Sequence, residues 1–467
     1  MNEIKDITKW CYCNLDLIEE NKENNKKSII LIAGASSSGK SYASNYLKQF
    51  LLNKGINAVI ISTDDYNKGI AKNVFQIVNR KYYNGSLKNE QKIVENIKII
   101  TKNTDFNEKF CKNNLILIKN AIKKYIDVDV NKFLKQLAFE FQNINFDKKD
   151  IYDLSELSTD LLSLLKGEKI VEKNYSKKIS ERNEQQKYIN GKDIDVVVVE
   201  GIYALDNDLT KQLNDCCVIK NFVNCKDIYL FLRRMIRDKS ATDCKRTFIF
   251  KNYIDYVAPA YKKDILPNKQ SADFVFENNM TFDELRQGDV EIQTKYEIDG
   301  HTLKTILNYF KVIEKSYQQD TYVGDINGEL LRLRETSNDG INFQLFSLVY
   351  KGERKVRHDK KLIRPKQVIL SKNDFEELGL SKSQIINKFQ ELGLKIVKTL
   401  KKQRYIVMYK NQKLKIDFVM NKIYLESDDI KSENFYALLK NIIDDKNLKP
   451  VDSYPQIGKI NDVSVEF

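Results

Sequence analysis

The 467-residue sequence predicts an α/β fold with a mostly parallel sheet and a helical insertion, followed by an α+β unit built on an antiparallel β-barrel. Three observations carry this. Runs of β-branched residues alternate with helical stretches in the first half. A glycine- and serine-rich loop joins the first run to its helix. After about residue 285 the pattern shifts to short segments of period 2, as in an antiparallel sheet or barrel.

Residues 1–27 read as a leading helix and a charged link. Ile29-Ile30-Leu31-Ile32-Ala33 is a continuous apolar run, as expected of a parallel strand covered on both faces. Ala58-Val59-Ile60-Ile61 and Val196-Val197-Val198-Val199 repeat that pattern. Between the first two, SYASNYLKQFLLNKG reads as a helix closed by glycine. Residues of about 68–143 are helical in period and hold no chemical motif, so they read as an insertion within a unit spanning 28–283. In a second unit, 284–440, the strands are VEIQTKYEI, ELLRLRE, FQLFSLVYKG, QRYIVMYK, KLKIDFV and KIYLES. HTLKTILNYFKVIEK and SKSQIINKFQELG interrupt them as helices, and 441–467 form a tail. The junction near 280–288 rests on the change of period alone.

At 42% hydrophobic and 10% aromatic residues the chain can bury sizeable cores, which excludes wholesale disorder. Lys+Arg exceed Asp+Glu by 78 − 65 = 13. That excess suits anionic partners, and it equally suits ordinary solvated faces. Seven scattered cysteines without a paired CxxC, and only His301 and His358, exclude a histidine-rich metal site and a two-histidine zinc site. An odd thiol count without a framework fits a reducing cytoplasm. The N-terminus lacks the apolar core of a signal peptide, and no run reaches a membrane span, so a cytoplasmic protein without membrane partners is expected.

Gly34-Ala35-Ser36-Ser37-Ser38-Gly39-Lys40-Ser41 fits G-x-x-x-x-G-K-[ST] between a strand and a helix. The glycines let backbone N–H groups turn toward phosphates, and the helix start adds its positive end. Lys40 suits β/γ-phosphates and the Ser41 hydroxyl suits Mg²⁺. ATP and Mg²⁺ are the expected cofactors. The second strand ends in Ser62-Thr63-Asp64-Asp65-Tyr66 and the third in Glu200-Gly201, at the sheet edge where open α/β folds bind ligands. A carboxylate there can take the proton of an attacking hydroxyl, and Glu200 is placed to help hold the metal. Either acid alone could also cap a helix.

With these segments, residues 28–283 resemble the uridine kinase and phosphoribulokinase family of P-loop kinases. Asn145-Phe146-Asp147 resembles its NFDxPxAFD element, Arg233-Arg234-Met235-Ile236-Arg237-Asp238 its RRxxRD lid helix, and Leu266-Pro267-Asn268-Lys269 with Ala272-Asp273 its LPxKxxAD segment. The resemblance implies Asp64 as general base, Asp147 as sugar-hydroxyl anchor, Arg234 on the acceptor side and Arg237 as a phosphate cation. It places Tyr175 beside a nucleobase. The family's base-reading histidine is here Ser180, its glutamine is Asn252, and lid arginine positions hold Thr242 and Cys244, with Lys245 and Arg246 close by.

In the second unit, charged residues alternate at i, i+2 on several strands, which fits solvated outer faces or a charged barrel lumen. Glu291-Ile292-Gln293-Thr294-Lys295, Gln319-Asp320-Thr321-Tyr322, Leu331-Arg332-Leu333-Arg334, Tyr350-Lys351-Gly352 and Leu425-Glu426 resemble, in order, motifs of the CYTH family of triphosphate tunnel metalloenzymes. That resemblance implies Lys295, Arg332, Arg334, Lys351 and Arg404 as tri- or pyrophosphate ligands, and Glu291 and Glu426 as metal ligands. Gln293 replaces an expected glutamate, and Arg357-His358-Asp359 stands where an acidic pair is expected, which favours a phosphate-binding barrel over a vigorous hydrolase.

The expected function is thus an ATP-dependent phosphotransferase of uridine kinase type, acting on a nucleoside or similar hydroxyl acceptor, with a polyphosphate-binding second unit. The alternatives are pyrophosphate or triphosphate hydrolysis by the second unit, and a nucleotide-sensing regulator without catalysis. Nucleic acid is not an expected partner, because no aromatic platform or RNA-binding module is found.

Overall fold

In the computed structural model the chain forms two compact units, Met1–Met280 and Thr281–Phe467. The structure describes residues 2–24, 26–102, 104, 108–177, 179–182, 187–242, 244–279, 289–324, 330–352, 355–356, 362–409, 412–427, 439 and 449–450. The expected junction at 280–288, and most of the expected tail, lie outside them.

The first unit is built on a six-stranded parallel sheet in the order Asn2–Ile4, Phe274–Glu277, Cys217–Asn224, Ser28–Gly34, Val196–Glu200, Ala58–Ser62. The three apolar runs are the adjacent strands Ser28–Gly34, Val196–Glu200 and Ala58–Ser62, in parallel register with Ile30 opposite Val198 and Ile60 opposite Val198. Ser28–Gly34 is buried along its whole length, which explains why its pattern is continuous rather than alternating. Helix Lys40–Leu52 lays Ala43, Leu47 and Leu51 on this sheet against Ile30, Ile32, Val196 and Val198.

The expected leading helix is present as Ile7–Glu23, but a strand precedes it and both belong to the first unit's sheet and core. Asn2–Ile4 pair with Phe274–Phe276 as an edge strand. Asp6 then caps helix Ile7–Glu23, accepting from Lys9 N, and the helix buries Trp10, Cys11, Leu15 and Ile18 in the same core. The Trp10 indole donates to Asn221 Oδ1 at 2.7 Å, so its one polar atom is satisfied in the interior. Among the described residues, the region of about 68–143 holds the α-helices Ile70–Tyr83, Glu90–Thr101, Lys112–Ile122 and Val130–Gln142. They join through buried Phe75, Ile93, Ile97, Ile118, Phe133 and Leu137.

The second unit is an antiparallel sheet whose eight long strands follow the order Leu362–Leu370, Gln344–Lys351, Leu330–Ser337, Lys311–Gly324, Lys395–Tyr409, Gln412–Val419, Lys422–Ser427, Asp289–Ile298. Two short strands, Lys355–Val356 and Lys449–Pro450, add to it. The expected helix HTLKTILNYFKVIEK is helical only over Gly300–Tyr309. Its last residues open the strand Lys311–Gly324, where β-branched Val312 and pairing with Lys395–Tyr409 outweigh the helical period. The helix expected at SKSQIINKFQELG runs over Lys382–Glu391 and starts from a Ser381 capping box.

Candidate functional site

The phosphate loop leaves the strand Ser28–Gly34 at a glycine with φ +152°, where a Cβ would strike the Val223 carbonyl. It enters the helix at Gly39, φ +94°, where a Cβ would strike the Asn278 amide. These two positions require glycine, and that is why the motif's spacing was legible. Lys40 opens the helix and donates from Nζ to Ala35 O at 2.8 Å, across the hollow of the loop. The Ser37 and Ser38 hydroxyls are buried and accept or donate no hydrogen bond among the described residues.

Around this loop the acids and cations converge. Ser41 Oγ lies 3.3 Å from Glu200 Oε1, which also accepts from Ser62 Oγ at 2.9 Å. Ser62 caps the turn Thr63–Tyr66 through Asp64 N, so the serine does the capping and the Asp64 carboxylate is left for other partners. Burial holds the Lys40 ammonium below its usual value, against the opposing pull of Glu200, Asp64 and Asp147. Partial burial would raise the Asp64 carboxyl, but Lys177, whose Nζ lies 2.9 Å from Asp64 Oδ2, together with Lys40 and Arg237, holds it below the usual range. Asp65 shifts the other way because it is half-buried; it accepts the Tyr175 N–H at 3.0 Å.

The helix Asp227–Thr242 brings two arginines onto the loop. Arg234 donates to Ser36 Oγ at 2.6 Å and stands 3.5 Å from Asp147 Oδ2, while Arg237 reaches Ser36 Oγ at 3.4 Å and pairs with Asp238 at 2.9 Å. Asp147 is buried, and its Oδ2 accepts no hydrogen bond among the described residues. Its loop is fixed by its own N–H on Asn145 Oδ1 at 2.9 Å, by Tyr203 Oη donating to Asp147 O at 2.6 Å, and by Tyr152 Oη donating to Phe146 O at 3.0 Å. Those two tyrosines went unread in the sequence, since a hydroxyl serving a distant carbonyl leaves no local pattern. Tyr175 sits on a short hairpin tied down by Arg182, which donates to Asn67 O and Tyr66 O and pairs with Glu156. Lys177, directly after the strand Tyr175–Ser176, reaches Asp64 and is a residue that the sequence reading did not single out.

Ser41, Ser62 and Glu200 form an oxygen-rich group at the loop, of the hard type that Mg²⁺ takes with water and phosphate oxygens. Among the described residues no group of three or more His, Cys, Asp or Glu side chains forms a self-sufficient metal cage.

In the second unit the predicted phosphate ligands are buried, and several are engaged with acids. Arg334 grips Asp320 with two bonds of 2.6 Å, and Arg404 grips Asp417 likewise. Lys402 reaches Asp417 at 2.8 Å, and Lys295 reaches Glu426 at 3.0 Å. Glu426, expected as a metal ligand, lies against three cations, Lys295, Arg404 and Lys415, at 3.0, 3.4 and 3.8 Å. The side chain of Glu291 lies outside the described residues, as do those of Gln293 and Arg357-His358-Asp359. Among the described residues six buried cations, Lys295, Arg332, Arg334, Lys351, Lys402 and Arg404, face three buried acids, Asp320, Asp417 and Glu426. Burial first, with Arg404 and Arg334 adding, pushes Lys402 down to about 7.

A parallel sheet with a phosphate loop, and acids and arginines gathered at its carboxyl edge, define an α/β unit of P-loop kinase type. Residues 100–283 match the model of the Phosphoribulokinase / Uridine kinase family. The uridine kinase of Bacillus pumilus is 29% identical over 131 residues, which is 28% of this chain and 60% of that protein. A Clostridium perfringens uridine kinase is 29% identical over 157 residues, 33% of this chain and 73% of that protein. This chain thus spans well under the full length of these relatives. A solved structure described as a possible uridine kinase from Bacillus stearothermophilus covers 56% of this chain and 97% of its own at 16% identity and a TM-score of 0.29, too low to add weight. No helix among the described residues is long and apolar enough to cross a membrane.

Proposed function

We propose that the first unit transfers the γ-phosphoryl group of ATP to a hydroxyl of a nucleoside or similar small molecule. The observation that carries this is Arg234, which touches the phosphate loop at Ser36 and faces the buried, hydrogen-bond-poor oxygen of Asp147. One side chain thereby joins the place for a triphosphate to a place for a polar acceptor.

In this reading the loop Gly34–Ser41 and Lys40 cradle the phosphates, Arg237 adds charge from above, and Asp147 receives the acceptor's neighbouring hydroxyls. Tyr175 lines the acceptor side, where Ser180 and Asn252 stand in place of the family's base-reading residues. Asp64 accepts the proton as the acceptor oxygen bonds to the γ-phosphorus and the bond to the bridging β–γ oxygen breaks, leaving ADP. Ser41 and Glu200 would hold Mg²⁺, which neutralises phosphate charge. A screen of ATP turnover across nucleosides and small sugars, with Lys40→Ala as control, tests the assignment. Turnover with at least one acceptor, abolished in Lys40→Ala, is expected; turnover unaffected by that substitution would refute it.

For the second unit we propose a closed barrel that binds triphosphate or pyrophosphate without hydrolysing it rapidly. Two observations support this: Asp289–Ile298 pairs with both Leu362–Leu370 and Lys422–Ser427, and the buried cations outnumber the buried acids. A thermal upshift by tripolyphosphate with little phosphate release is expected. Rapid metal-dependent hydrolysis that Glu426→Ala abolishes would overturn it in favour of a hydrolase.

A further inference from the structure

We infer that Arg233 and Asn278 are positioning residues that set the phosphate loop for a triphosphate. The inference rests on the proposed triphosphate site, but it concerns two residues that the site itself leaves without a role. Both are buried. Arg233 NH1 donates to Ser38 O at 3.2 Å and to Ser37 O at 3.4 Å, and Asn278 Nδ2 donates to the same Ser38 O at 2.8 Å. The two are joined to each other, since Arg233 NH2 donates to Asn278 O at 3.2 Å.

Three hydrogen bonds from two donor nitrogens, on two successive carbonyls, fix the tilt of the peptide planes. In a trans peptide the N–H points opposite to the C=O. Holding the Ser38 carbonyl outward therefore turns the Gly39 N–H inward, at the start of helix Lys40–Leu52, where the first N–H groups have no helical partner. A loop so fixed meets phosphate oxygens without first reorganising, which is the usual source of tight binding at preset dipoles. The brace is itself anchored. Arg233 also contacts Cys225 Sγ at 3.3 Å and stands 5.8 Å from the Tyr229 ring centroid, and Asn278 N donates to Asn224 O at 2.9 Å. Gly39 leaves no room for a Cβ beside the Asn278 amide, so loop and brace fit only in this pairing.

Each touches the loop through its backbone carbonyls. Their loss should therefore weaken affinity for the polyphosphate tail and leave affinity for the rest of the nucleotide unchanged. The test uses the full chain and calorimetric titration with Mg·ATP and with AMP, on Arg233→Lys and Asn278→Ala. Arg233→Lys keeps the charge and loses the fork. Each variant is expected to weaken ATP binding by up to about tenfold, on the order of one hydrogen bond lost from the brace, with AMP affinity unchanged. Unchanged ATP affinity, or equal losses for ATP and AMP, would overturn the inference. If either variant melts without ligand, Asn278→Ser, smaller but still a donor, takes its place with the same two readouts. Lys40→Ala serves as reference: if it binds ATP as the natural chain does, the triphosphate site is misassigned, a failure distinct from that of the brace.

Discussion

Replacing Asp64 by asparagine separates chemistry from binding at the proposed site. The substitution keeps shape and removes one negative charge, leaving Lys177 without the carboxylate now 2.9 Å away. That pair is partly exposed on both sides, so its loss costs about 0.2–1 kcal/mol of stability and the fold survives. Lys40 loses one of the three acids that oppose it, Glu200, Asp64 and Asp147, so ATP affinity should hold or tighten by less than about tenfold. The transfer step loses its proton acceptor, a loss of about 10²–10⁴ in turnover, or about 3–5 kcal/mol of barrier. Calorimetry for Mg·ATP and steady-state turnover with a saturating acceptor read the two quantities separately. A parallel fall of ATP affinity and turnover would refute the role, because a base acting in the transition state does not set ground-state nucleotide binding.

Lys177→Met should raise the Asp64 carboxyl toward its ordinary value. Because Asp64 acts only when ionised, the acid limb of kcat/KM against pH should move upward; an unmoved limb would remove Lys177 from the site. Asp320→Asn leaves the Arg334 guanidinium buried without its bidentate partner and should cost about 3–5 kcal/mol, several degrees or more in the melting of the second unit. Melting within a degree of the natural chain would contradict that pairing. Lys402, at about 7 when folded and near 10.4 when unfolded, is charged on both sides of the transition below pH 7. Between those values the unfolded chain binds more protons, so Lys402 makes stability rise with pH there. Lys402→Met should flatten that rise in pH-dependent melts, and an identical slope in the variant would refute it.

What was legible in the sequence was what the backbone demands locally. Gly34 and Gly39 occupy positions where only glycine fits, and the strand Ser28–Gly34, covered on both faces, shows its burial as an unbroken apolar run. The convergence of Asp64, Asp147 and Arg234 came from motif resemblance; no local spacing foretells that residues 64, 147 and 234 meet. Interior ion pairs in the second unit were harder, because alternation at i, i+2 looks the same on a wet face and a buried one. Asp320 and Asp417 declare themselves only when the opposite strands bring Arg334 and Arg404 across. Lys311–Lys315 carries a helical period that cross-strand pairing overrides. Arg233 and Asn278 act on main-chain carbonyls, a target that leaves no side-chain signature in their neighbours.

The first strand of the initial unit lies beside its last, with Asn2 opposite Phe274. Beginning and end of this half are therefore zipped together, and trimming the first 27 residues as dispensable would strip Trp10 from the interior and bare the flank of Phe274–Glu277. Such a shortened chain would offer an open seam to its neighbours, and clumping rather than a milder enzyme would be its fate.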